Sequence, residues 1–107
     1  MKFKNLTRNP VTIFGKNGPV VIAPEMPSVA CKVTEEILDM DSDIEVVKVF
    51  ISEPEGLPPE EDGVGLIVSK IAADSINAYL SRDDIYIPRD QVRKNGQVVG
   101  CRRLEKV

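Results

Sequence analysis

The chain has no histidine and no tryptophan. Without an imidazole there is no serine or cysteine triad and no HExxH metal site. Carboxylate, lysine and tyrosine chemistry stay open in principle. The two cysteines, Cys31 and Cys101, stand 70 residues apart. That separation offers neither a CxxC redox pair nor a zinc spacing, and we read both as small hydrophobes with reduced thiols. No stretch is apolar for long enough to form a transmembrane helix. The opening Met1-Lys2-Phe3-Lys4-Asn5 lacks the apolar run of a signal peptide. These absences predict a cytoplasmic protein. They also predict a chain that is not an enzyme, with no catalytic residue, no bound metal and no cofactor.

What is there suits one domain spanning 1–107. Aromatics are few (Phe3, Phe14, Phe50, Tyr79 and Tyr86), so Val, Ile and Leu must supply the core. Charge is segregated. Residues 1–16 carry four basic side chains and no acid, and residues 89–107 carry six basic against two acidic. With a total of −3, the middle of the chain holds −11. Duplex nucleic acid asks for an extended positive face, which this pattern does not give. It does permit a local anion site where the two ends meet. Solvated, unpartnered charge is the competing reading.

Lys2–Thr7 reads as a first strand. Val11–Phe14 and Val20–Ile22 flank Asn17-Gly18, a tight hairpin turn, with Pro19 marking an edge. Val29–Val33 alternates well enough for another strand. Thr34–Glu45 is acidic and reads as a short helical turn or a loop. Within it Asp39-Met40-Asp41-Ser42-Asp43 invites comparison with a calcium loop. The comparison fails, because Ile44 stands where Gly is needed and Phe50 where a bidentate Glu is needed. Val46–Ile51 is a strong strand. Ser52–Asp62, with three prolines and five acids, is a long loop. Gly63–Val68 is strand-like. Ser69 then caps a helix over about 70–80, with Asp74 in its first turns facing the positive end of the macrodipole. Ile85–Ile87 is a short strand stopped by Pro88. Gln91–Lys94 and Gln97–Cys101 form a hairpin around Asn95-Gly96. The sum is an α+β, mostly β fold: a small curved sheet or barrel of short strands with one helix across an opening. Open edges and a modest core favour a homo-oligomer.

Three constellations carry candidate chemistry. Ser69 opens a helix directly after a strand, where free backbone amides suit an anion. No GxxxxGK(S/T) loop accompanies it, which argues against a P-loop nucleoside triphosphatase, and a plain N-cap is the preferred reading of the serine. Arg82-Asp83-Asp84 is a second candidate. As a structural clamp it needs only an arginine and a carboxylate, whereas catalysis would need further metal ligands. Neighbours in a strand point to opposite faces, so Asp83 and Asp84 need not act together. Cys101-Arg102-Arg103-Leu104 is the third. With Arg82, Arg89 and Arg93 it makes five arginines in 22 residues, and arginine forks recognise phosphate.

The segment Asn5-Leu6-Thr7-Arg8-Asn9-Pro10-Val11-Thr12-Ile13 resembles the opening of a group of short phage and prophage proteins. Those begin with Asn-Leu-Thr-Pro-His and continue into an apolar strand. The likeness runs on, in order, through Glu55-Gly56-Leu57-Pro58, Ile67-Val68-Ser69, Arg82-Asp83-Asp84, Pro88 and Gly100-Cys101-Arg102. Arg8-Asn9 departs from the Pro-His of the group, so any role of that histidine is lost here or passes to Asn9. The resemblance implies a mobile-element origin and action in a bacterial host cytoplasm, with no established activity.

The reading that joins these observations is an oligomeric phage accessory protein that acts by binding. It would sequester a small anionic ligand such as a nucleotide or cyclic-nucleotide immune signal, and so serve anti-defence. Ser69, Arg82, Asp84, Arg102, Asn5 and Thr7 are the polar candidates, and Tyr86 or Tyr79 would stack on a base. This reading requires the last hairpin and the helix to bring their arginines together. The alternative is a structural, assembly or inhibitory phage protein that works by protein contact and has no small-molecule ligand. The weakest rival is a metal-dependent hydrolase using Asp83 or Asp84.

Overall fold

A computed structural model describes residues 1–39 and 43–107; Met40, Asp41 and Ser42 of the rejected calcium loop lie outside them. Eight strands and one helix follow in the order β1 (Lys2–Asn5), β2 (Val11–Gly15), β3 (Gly18–Ile22), β4 (Val33–Asp39), β5 (Val46–Ile51), β6 (Val64–Ile67), α1 (Lys70–Tyr79), β7 (Ile85–Lys94) and β8 (Gln97–Lys106). Six strands form one sheet in the order β1-β6-β7-β8-β2-β3, and β4 and β5 form a separate ribbon. The large sheet curls into a half-barrel, so the fold is mostly β with one short helix, as the sequence predicts.

Local chemistry explains the elements. At α1 the Ser69 side chain accepts a hydrogen bond from the Ala72 amide, and the chain leaves helical geometry at Leu80. Ala72, Ala73 and Ile76 pack with Leu66 of β6, Val68 just after it, and Ile85 and Ile87 of β7, with Leu6 and Val29 completing the core. A ten-residue helix is marginal by itself, and this apolar face is what holds it. Asp74 lies beyond the first turn and serves instead as partner to Lys70, 2.7 Å away. The Asp74 carboxylate pushes the Lys70 ammonium pKa above its usual range.

Three further expectations are corrected. Val29–Val33 forms no strand of its own, only an isolated bridge between Ala30 and Glu55. The acidic stretch after Val33 is neither a helical turn nor a loop at its start, because β4 runs from Val33 to Asp39. Nor does Pro88 stop β7, which continues to Lys94. Parallel pairing of β6 to β7 covers Leu66 and Ile67, with flanking bonds from the Leu66 amide to the Asp84 carbonyl and from the Val68 amide to the Tyr86 carbonyl. Among the described residues no strand pairs with the β6-facing edge of β7 beyond that level, so the missing N–H of Pro88 breaks no ladder bond there. At the Asn95-Gly96 turn both residues have positive φ, 52° and 79°, the geometry a tight two-residue hairpin requires.

Asn5 draws the two ends of the curled sheet together. Its side chain is fully buried. Its Nδ2 donates to the carbonyls of Ile22 (2.9 Å) and Asn9 (2.8 Å), and its Oδ1 accepts from the Thr7 amide at 2.9 Å. The Glu25 amide donates to the Asn5 carbonyl at 2.8 Å. A buried amide can stay without cost only when its donors and acceptors are all used in this way.

Candidate functional site

The predicted ligand residues do not converge. Ser69 and Thr7 share an open groove of about 320 Å³ at the start of α1, together with Arg8, Asn9, Cys31 and Ile71. Arg82 and Asp84 follow the other end of α1, about 15 Å away by the rise of a ten-residue helix. Arg102 lies exposed on β8 and lines none of that groove. The arginines of the last hairpin and the start of the helix therefore form no common anion site.

All of the predicted ligand residues but Arg102 have a local occupation. Asn5 and Thr7 belong to the staple between sheet ends, with Thr7 Oγ1 lying 2.6 Å from Asn5 Oδ1. Arg82 is a clamp. It donates to both Asp84 oxygens (3.0 and 2.8 Å) and to the Pro58 carbonyl (2.9 Å), and Glu60 sits 3.2 Å from its Nε. The hydrogen bond to Asp84, more than any other contact, raises its guanidinium pKa further. The clamp ties the long acidic loop to the start of β7. Asp84 is only 8% exposed and points at Arg82, while Asp83 pairs with Lys106 at 2.8 Å and raises that ammonium's pKa. The two carboxylates act separately. Tyr86 meets Phe3 edge-on with ring centroids 5.1 Å apart, and Gly65 leaves room for the pair, because a Cβ there would lie 2.7 Å from the Phe3 ring. Tyr79 donates to the Ile51 carbonyl at 2.8 Å. Among the described residues no cluster of acidic or cysteine side chains has the grouping of a metal site.

The arginine-rich hairpin is partly neutralised from within. Arg89 pairs with Glu105 and Arg103 with Asp90. Arg93 reaches only the Gly96 carbonyl and the Gln91 side chain. Among the described residues Lys94, Arg102 and Arg8 form no side-chain hydrogen bond or ion pair, whereas Cys101 is buried and its thiol pKa is pushed up by desolvation.

The sequence gives little warning of the β4–β5 ribbon. Cross-strand partners share a face, and the register sets Val33, Ile37, Val47, Val49 and Ile51 on one face with Glu35. Thr34, Glu36, Lys48 and Phe50 lie on the other, with the Lys48 ammonium 5.1 Å from the Phe50 ring centroid. Val33, Ile37, Leu38, Ile44, Val46, Val47, Val49 and Phe50 are each 40% to 68% exposed. The base of the ribbon is firmly rooted. Ser75 donates to the Ser52 carbonyl at 2.6 Å, Lys32 and Ser52 exchange bonds of 2.8 and 2.7 Å, and Ala30 pairs with Glu55. The rest projects, and the molecule measures 55 × 38 × 21 Å with a radius of gyration of 16.5 Å. A compact chain of this length has a radius of about 13 Å.

No family model, curated protein or solved structure matches this chain. Among the described residues no helix is long and apolar enough to cross a membrane.

Proposed function

We propose that this protein acts by protein contact, with the β4–β5 ribbon as its contact surface, in the manner of a phage-type assembly or inhibitory protein. One observation carries the reading: a two-stranded ribbon whose apolar face is left exposed by the other described elements. A lone hairpin is marginal in water, and an exposed apolar edge of this kind invites a partner. The hydrogen-bonded base holds the ribbon to the body of the protein. The resemblance to phage proteins supports action in a bacterial host cytoplasm.

Site-specific photocrosslinking in bacterial cells tests it. A photoreactive residue at Val49 is expected to form a defined covalent adduct, while one at Lys16, on the exposed β2–β3 turn, forms none. Absence of any adduct at Val49 and at Ile37 contradicts the reading.

A second reading has its own observation. Among the described residues Arg8 has no side-chain partner, and it lines the open groove at the start of α1, where the helix N-terminus favours an anion. A small anion such as a nucleotide would bind there in a sequestration role, away from Arg82, Asp84, Tyr86 and Arg102. Calorimetry with linear and cyclic nucleotides, comparing the native chain with Arg8→Ala, tests it; no heat from any of them sets it aside.

A further inference from the structure

Resting on the contact reading above, we propose that the partner of the ribbon is a second copy of this chain, held head-to-tail: the acidic β4–β5 ribbon of one copy docks on the basic β7–β8 tip of the next. Two surfaces of the same chain match in charge and in character. Residues 33–51 carry six acids against one lysine. Among the described residues Glu35, Glu36, Asp43 and Glu45 form no ion pair. The β7–β8 span carries six basic side chains against two acids, both already paired. Among the described residues that leaves Arg93, on one face of the hairpin, and Lys94 and Arg102, on the other, without a carboxylate partner. Like surfaces would repel if two ribbons met face to face, whereas ribbon on tip brings opposite signs together.

The apolar parts match as well. Beside the basic tip lies an open groove of about 250 Å³ lined by Pro10, Val11, Pro88, Val98 and Val99. It is below the usual size of a small-molecule site and takes a side chain or two from a ribbon. Val98 and Val99 are exposed like the ribbon valines. The ribbon's own root on α1, through Ser75 and Tyr79, fixes it as an arm reaching outward. A contact between two different patches of one chain is heterologous, so it closes into a ring or continues as a filament.

Sedimentation velocity of the full chain and of two charge-reversed variants tests the proposal. One variant is Glu35→Lys with Glu36→Lys; the other is Arg93→Glu with Arg102→Glu. All four sites are exposed, and unchanged melting curves verify that both variants fold. The native chain is expected to assemble beyond a monomer at high micromolar concentration, and each variant alone to remain a monomer. Mixed in equal amounts, the variants offer one another an intact ribbon–tip pair and a doubly reversed pair, and are expected to co-assemble beyond a monomer. A chain carrying all four reversals is expected to assemble again. A native chain that is monomeric throughout overturns the proposal, as does a mixture that stays monomeric or variants that assemble unchanged. If Val49 then crosslinks only to a different protein, the contact reading survives and the self-assembly does not; if it crosslinks to nothing, both fail.

Discussion

The β6–α1 unit and the β4–β5 ribbon are built from similar residues and meet opposite fates. Val64-Gly65-Leu66-Ile67-Val68 leads into α1, and from Gly65 to Val68 it is buried. Val46-Val47-Lys48-Val49-Phe50 is just as apolar and lies exposed throughout. The first has a helix to lie under it and strands on both sides; the second has one partner strand and open faces. Apolar patterning thus specifies a strand, and the neighbours alone decide whether that strand becomes core or contact surface.

Substitutions on the two sides sharpen this contrast. Ile76→Ala, in the helix core, is expected to cost about 2–5 kcal/mol by cavity formation, read as a lowered urea midpoint. Arg82→Ala leaves the nearly buried Asp84 carboxylate without its partner and is expected to cost about 3 kcal/mol; recovery of stability on adding Asp84→Asn would confirm the cause. Asn5→Ala orphans the Ile22 carbonyl and the Thr7 amide and is expected to cost about 1–3 kcal/mol. Val49→Thr in the ribbon should change monomer stability by less than about 0.5 kcal/mol while weakening the contact. If Val49→Thr costs as much as Ile76→Ala, the ribbon is part of the monomer's core and the contrast collapses.

One pH effect follows from Cys101. Its folded thiol pKa is raised above the ordinary 9.0 by desolvation. The protonated thiol is the form the fold prefers, so its contribution is complete below the unfolded pKa and is lost as pH rises through the folded value. Stability should therefore decline on that alkaline side, and less so in Cys101→Ala. Iodoacetamide should label Cys31 before Cys101 in the native chain.

Much of the fold is legible in the residues. Ser69 marks the start of the helix, Asn95-Gly96 marks its hairpin, and the strands at Val11, Val46 and Gly63 follow from apolar runs. Pro88 misleads because its effect depends on where β6 ends, which is set by a strand far away in sequence. Glu35 and Glu36 mislead because strand structure in β4 comes from pairing with β5, against the local preference of acidic residues. The supposed anion site misleads for a simpler cause. Arg82 looks available in the sequence, and only the folded loop carrying Pro58 and Glu60 shows that it is engaged.

The ribbon's standing as a covered surface is tested most directly by hydrogen exchange of residues 46–51 at two protein concentrations. The account predicts slow exchange in the concentrated sample and fast exchange after dilution, with α1 unchanged between them. Exchange at one fast rate in both samples, as for a hairpin in open water, would contradict it.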